Sequence, residues 1–410
     1  MGIASVEKQG ATTTAVSHWP LWQRAGFRFL ACYLVLYNTP GVLGGGMHDL
    51  TTWAGRRFFH VTVDLTPNGS GDTTAEWVRL LCTLALALAL CLVWSIVDRR
   101  RQNYDVLNGW LRVYARYILA FALISYGAQK VIPVQFSPPS LMRLQEPFGD
   151  ASPMGLLWTF MGASPAYTIF AGSLEMIGGL LLVCRRTTLI GSLMAAGVMS
   201  NVVALNLCYD VPVKLYSTDL LLLAVYIASA DTGRLVDFFL RGRASTPPTS
   251  TPLVRSRKIA IAVQIVKTVV VIWMVTLSLR EAAHYKTTFA TRTSLDGQWE
   301  VTEWDVEGHA KPRLVGDADQ WRRLVVQGDV AAVQDNADDW SYFQAKVKGS
   351  TLFLSADSPY AYYLSPAKDL YLSGMDADGK RVQIKLRKKG DGYQLTTRGF
   401  HWINEEPYSR

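Results

Sequence analysis

The chain has 410 residues, half of them hydrophobic and 18% charged, with a formal net charge of +8. That composition points to the membrane for part of the chain only. Its basic residues sort by loop in the manner of a topology signal, which argues against a nucleic-acid partner.

Seven apolar runs have roughly the 17 to 25 residues that cross a ~30 Å hydrocarbon core. They lie near 22–40, 75–97, 113–133, 167–184, 187–206, 215–231 and 259–279, and the chain turns polar after Arg280. Arg99, Arg100, Arg101 and Arg112 lie between runs two and three. Arg185 and Arg186 follow run four, and Arg234, Arg241, Arg243, Arg255, Arg257 and Lys258 follow run six. The alternate loops carry only Arg56 and Arg57, Arg143, and Lys214. Basic residues near span ends stay in the cytoplasm, so a multi-pass protein of the bacterial inner membrane is expected, amino terminus inside and carboxy-terminal domain outside.

The expected organisation is a cytoplasmic tail at 1–21, an α-helical membrane bundle of about seven spans at 22–280, and an extracytoplasmic all-β barrel or sandwich at 281–410. No cleavable signal peptide is expected, because residues 1–18 are polar and the first apolar run is long enough to span. The loop 41–74, with GVLGGGMHDL and TPNGSGD, is turn-rich, with room for a short helix near Thr51 to His60. Residues 244–257 contain ASTPPTSTP, a cytoplasmic linker that makes the seventh span an appended tether. Cys32, Cys82, Cys91, Cys184 and Cys208 form no C-x-x-C, and none lies in the exported domain, which disfavours disulfide exchange.

Helical rise places the polar residues of the bundle by depth. Lys130 lies near the outer end of span three with Tyr126 one turn deeper, and Glu175 lies ~12 Å below the outer end of span four. Asn201 and Asn206 close span five, and Asp219 lies about one turn into span six. Small residues mark close helix contact in membranes. Ala171, Gly172, Gly178 and Gly179 therefore turn Glu175 inward, and Gly197 and Ala204 do the same for Asn201. The stretch NLCYDVPVKLYSTD is the outer hairpin over that interior, broken by Pro212 and flanked by Asp210 and Lys214, which read either as a lid or as an exposed ion pair. A carboxylate as deep as Glu175 is either neutral or paired, the partner being Lys130 or a link through Asn201. Lys267 in span seven is expected to snorkel.

Beyond 290, QWEVTEW, RRLVVQG, YFQAKVK, TLFLSA, DLYLSG, RVQIKLRKK and GYQLTTRG read as short alternating strands, consistent with a meander closed into a small barrel. Gly297-x-Trp299 and Arg398 resemble the calycin (lipocalin-like) pattern, in which a tryptophan plugs the barrel and an arginine packs on its face.

Over about 112–240, Gly127-x-x-Lys130, Glu175 with Gly178 and Gly179, Arg185-Arg186 and Asn206 carry a resemblance to the DoxX-like family of bacterial membrane proteins. The resemblance implies a four-helix membrane core. Founding members are similar to subunits of a thiosulfate:quinone oxidoreductase, which allows a quinone as cofactor, although none is evident from the residues themselves. A distant similarity to the vitamin-K-dependent carboxylases rests on Gly127-x-x-Lys130. No haem, iron–sulfur, flavin or metal spacing is evident among the six histidines. Two functions follow. One is a quinone-linked membrane subunit in which Glu175, Lys130 and Asp219 bind a head group or relay protons. The other is a non-enzymatic module whose exported barrel binds a periplasmic protein partner or a small lipophile.

Overall fold

A computed structural model describes residues 18–39, 45–64, 66, 68–244, 256–288, 292–355, 358–376, 378–390 and 392–406. Most of the expected tail 1–21 and of the linker 244–257 lies outside them. The chain forms two compact units, Met1–Leu123 with Ile177–Pro252, and Ile124–Met176 with Leu253–Arg410.

All seven apolar runs are helical: α1 (Leu21–Asn38), α3 (Thr74–Val97), α4 (Asp105–Val131), α6 (Pro165–Val183), α7 (Thr188–Cys208), α8 (Lys214–Ala228) and α10 (Arg257–Thr288). Among the described helices, α3, α6, α7 and α10 are long and apolar enough to cross a membrane. The others are shorter or more polar; α8 has 15 residues, about 22 Å of helix. Three further helices are α2 (Gly45–Ala54), α5 (Pro153–Ala163) and α9 (Thr232–Phe239). Of these, α5 occupies a stretch between the third and fourth apolar runs, and its own sequence explains it. Ser152 accepts a hydrogen bond from the Gly155 amide and Pro153 starts the helix, as capped helix starts require.

In the first unit, α3 opens with a Thr73-x-x-Glu76 cap, the Thr73 side chain accepting from the Glu76 amide. At its other end Arg28 of α1 is buried, and each of its three nitrogens donates a hydrogen bond. Its Nε donates to Tyr104 Oη at 2.9 Å, Nη1 to Ser95 Oγ at 2.9 Å and Nη2 to the Asp98 carbonyl at 2.8 Å. One arginine thus fixes α1 to the α3–α4 corner, and a buried guanidinium is tolerated because each of its nitrogens has a partner.

The carboxy-terminal domain is a nearly closed antiparallel β-barrel. Its strands are β1 (Gly297–Val306), β2 (His309–Ala310), β3 (Trp321–Gln327), β4 (Val330–Asp335), β5 (Trp340–Gln344), β6 (Lys346–Lys348), β7 (Thr351–Phe353), β8 (Pro359–Leu364), β9 (Asp369–Met375) and β10 (Arg381–Lys389). The order is β5-β4-β3-β1-β10-β9-β8-β7-β6, with β2 on β1. The two edge strands, β5 and β6, are separated in the chain by Ala345 alone, so the sheet must curl until its edges approach. The stretch YFQAKVK, expected as one strand, is therefore two, and GYQLTTRG, expected as a strand, holds a short helix, α11 (Gln394–Thr397).

Alternation along the strands fills the barrel with side chains. Leu295, Trp299, Leu324, Leu352, Leu370 and Leu386 are all buried in one cluster, so the interior is a packed core. Trp299 is 1% exposed and donates from Nε1 to the Leu295 carbonyl at 2.8 Å. The cation on its ring is Lys388, 5.5 Å from the centroid, in place of the expected Arg398. Register explains the exchange: β10 sets Lys388 directly opposite Trp299, whereas Arg398 follows α11, is exposed, and donates to Asn404. Gly297, at φ +142°, is the position where a side chain would collide with the Lys388 stem.

Candidate functional site

The polar residues expected to share one site resolve into three groups, each with its own partners. The first lies on α4 and α6. Gly127 meets Met176, and Val131 meets Gly172, so the helices run antiparallel in close contact. A Cβ on Gly127 would lie 2.7 Å from the Gly172 carbonyl oxygen, and one on Gly172 would lie 2.5 Å from Lys130 Cβ. Each glycine precedes a charged residue by three positions, one turn along the same helix face. That arrangement brings Lys130 Nζ to 2.7 Å from Glu175 Oε2, with the residues 7% and 4% exposed. The ammonium also lies 5.6 Å from the Tyr126 ring centroid and 5.9 Å from that of Phe136. Phe136 in turn meets Trp158 edge-on at 5.0 Å.

A buried pair of this kind is held by its own attraction and by the aromatic faces, since neither charge has water to fall back on. An ammonium has three donors, and the hydrogen bond to Glu175 uses one. Tyr126, Lys130 and Glu175 therefore place a cationic donor, a proton acceptor and flat aromatic walls within one small volume.

The second group surrounds Asp219, which is 1% exposed. Tyr33 donates to Asp219 Oδ1 at 3.2 Å, while Oδ2 is buried with no hydrogen bond meeting normal geometry; the Asn38 side chain lies beside the carboxylate. Nearby, Thr39 and Tyr114 share a hydroxyl contact at 2.5 Å. Asp219 is legible in the sequence as an acid within an apolar run, whereas the only signal for Tyr33 and Asn38 is that both fall in the last turns of such a run.

The third group is the hairpin NLCYDVPVKLYSTD. It is bolted by a residue from the 41–74 loop: Asp72 accepts from the Lys214 and Leu215 amides at 2.7 and 3.0 Å, satisfying the start of α8. Lys214 Nζ pairs with Asp210 at 2.9 Å and lies 3.7 Å from Asp72. Asn206 donates to Ser217 Oγ at 2.9 Å, joining the end of α7 to the start of α8. These contacts account for Asn206, Asp210 and Lys214 as the framework of a turn.

Asn201, expected to face inward, is exposed. The small residue below it, Gly197, has nothing within 4 Å of a notional Cβ, and the buried face of α7 instead carries Gly191, Ser192, Ala195, Met199 and Asn206. Small residues permit close contact without compelling it. Among the described residues no cluster of histidine, cysteine, aspartate and glutamate could hold a metal ion.

Over 124 residues, 30% of this chain and 79% of the relative, the sequence is 29% identical to the uncharacterized protein YwoB of Bacillus subtilis (strain 168). No family model matches the chain, and no solved structure matches it.

Proposed function

We propose that this chain is a DoxX-like membrane protein that binds the head group of a quinone at the Lys130–Glu175 pair, as a subunit of quinone-linked redox chemistry in the bacterial inner membrane. The observation that carries this reading is the 2.7 Å contact between two almost wholly buried charges. Intramembrane ionisable residues are costly and mark proton or substrate paths by default. The residues suit the group: Lys130 has donor capacity beyond its bond to Glu175, and Tyr126 and Phe136 offer ring faces to a flat head group. A bound quinone supplies the electron-accepting ring. Lys130 would hold the head group by donating a hydrogen bond, and Glu175 would take or return a proton.

Quinone extraction from the purified protein tests this directly. Glu175→Gln should keep the fold and lose the pH dependence of quinone binding, while Lys130→Met should lose the quinone. If both variants retain it as the parent does, the pair is a packing device.

A second reading makes the protein a non-enzymatic module whose exported barrel binds a partner while the helices anchor it. It draws on the hydrogen bond from the Leu141 amide to Gln327 Oε1, 2.9 Å, which ties the loop after α4 to the end of β3.

A further inference from the structure

The barrel interior is full, but its outer wall is recessed. Register sets two parallel rows across β1, β10, β9 and β8: Glu303, Lys385, Tyr371 and Tyr363 in one, and Asp305, Gln383, Ser373 and Ala361 in the other. Together they line a hollow of about 360 Å³. The first row is tall and the second is low, with Ser373 and Ala361 as floor, so the two rows make a step. A β-bulge between Val301 and Glu303 bends β1 at the head of the tall row, and bulges of this kind re-aim side chains.

The tall row is held in place. Lys385 Nζ lies 2.7 Å from Glu303 Oε1 and 5.9 Å from the Tyr371 ring centroid. Tyr371 and Tyr363 have ring centroids 6.1 Å apart at 37° and are 40% and 60% exposed. Two neighbouring aromatic faces are thus presented to solvent on a rigid sheet, which spares a ligand the entropy of ordering them. On the low side, the Asp305, Gln383 and Ser373 side chains make no hydrogen bond with the described residues, leaving acceptors and donors open to a ligand.

The fold restricts what can lie there. All four strands have neighbours on both sides in the sheet order, so an extended peptide, which docks by adding a strand to a free edge, finds little free edge beside the recess. Recognition runs mainly through side chains. Among the described residues that line the recess Lys385 is the one cation, and Glu303 pairs with it, so the recess itself holds no cationic cluster to draw an anionic ligand. Aromatic faces beside amide, hydroxyl and carboxylate groups match a molecule with a C–H face and a rim of hydroxyls. Four strands at ~4.8 Å spacing span about 14 Å, room for a short run of sugar rings.

We infer that this recess binds a neutral glycan, its rings stacked on Tyr363 and Tyr371 and its hydroxyls bonded to Gln383, Asp305 and Ser373. The inference deepens the binding-module reading and is independent of quinone chemistry. The test uses the full chain in nanodiscs free of glycosidic detergent. Calorimetry is run against chitotetraose, cellotetraose and maltotetraose, with a sedimentation assay on murein sacculi. Saturable binding to at least one probe is expected, weakened tenfold or more by Tyr371→Ala and by Tyr363→Ala, and unchanged by Tyr342→Ala on β5. No binding to any of the four, or binding indifferent to the two recess tyrosines, overturns it. Tyrosine-dependent binding to a peptide library instead would also overturn it while leaving the module reading standing.

Discussion

Gly127 and Gly172 face each other across α4 and α6 so closely that a methyl group on the first would lie 2.7 Å from the carbonyl oxygen of the second. This contact sets the distance across which Lys130 and Glu175 meet, so the ion pair depends on two residues that carry no charge.

Alanine at Gly127 or at Gly172 should push the helices apart and cost about 1–3 kcal/mol by overpacking. Alanine at Gly197, where the space is open, should leave stability unchanged. Melting of the purified protein in detergent checks the contrast; equal behaviour of all three would mean that α4 and α6 are not in backbone contact.

The ion pair should behave as a unit. Lys130→Met or Glu175→Leu alone strands one buried charge and should cost about 3–5 kcal/mol. The double replacement should cost clearly less than the sum. A double-mutant cycle on melting data measures this coupling, and additive losses would show that the two groups do not interact.

Asp219 should respond in the opposite sense. It is buried beside a tyrosine hydroxyl and an amide, with no ion pair among the described residues. Asp219→Asn removes a desolvated charge and should melt no lower than the parent, whereas Tyr33→Phe should cost about 0.5–1.5 kcal/mol for a lost hydrogen bond. A Tyr33→Phe variant that melts like the parent would show that this bond contributes nothing.

In the barrel, Trp299→Ala should cost about 3–5 kcal/mol and Lys388→Ala about 0.5–1 kcal/mol, the scale of an exposed cation–π contact. Arg398→Ala should have no measurable effect on the core. Hydrogen-exchange protection of the β10 amides reports all three, and a barrel more sensitive to Arg398 than to Lys388 would reverse the assignment of the stacking cation.

Cysteine labelling from the two sides of the membrane tests the orientation. Residue 243 should label from inside, and residues 213 and 300 from outside. Labelling of 243 and 300 from the same side would end the seven-span reading.

Structure is legible in the sequence where one constraint acts alone. A run such as LALALALCLVW has no alternative to an apolar environment, so the helix at 74–97 is legible directly. The Lys130–Glu175 pair was foreseeable because two glycine-flanked charges on antiparallel helices fall at compatible depths. Partners set by distant chain segments were not. Asp72 lies more than 140 residues before the amides it caps, and nothing local distinguishes it from the other polar residues of TPNGSGD. Lys388 stacks on Trp299 because of strand register, which a one-residue slip would change completely. Ala345 interrupts YFQAKVK because the sheet has run out of width there, a property of the whole barrel.

The pairing of β1 with β10 joins residues as far apart in the chain as Gln298 and Lys389, while each of the other strand pairs links near neighbours. The loop that must close before this seam forms is the longest in the domain, and its entropy is repaid only when the last strand arrives. During synthesis the other strands can assemble as two separate meanders, β3 to β5 and β6 to β9. Until β10 is made, β1 keeps one edge open to any passing strand. The barrel therefore passes its most aggregation-prone moment late, and a ribosome pausing within the codons for 381–389 would prolong it.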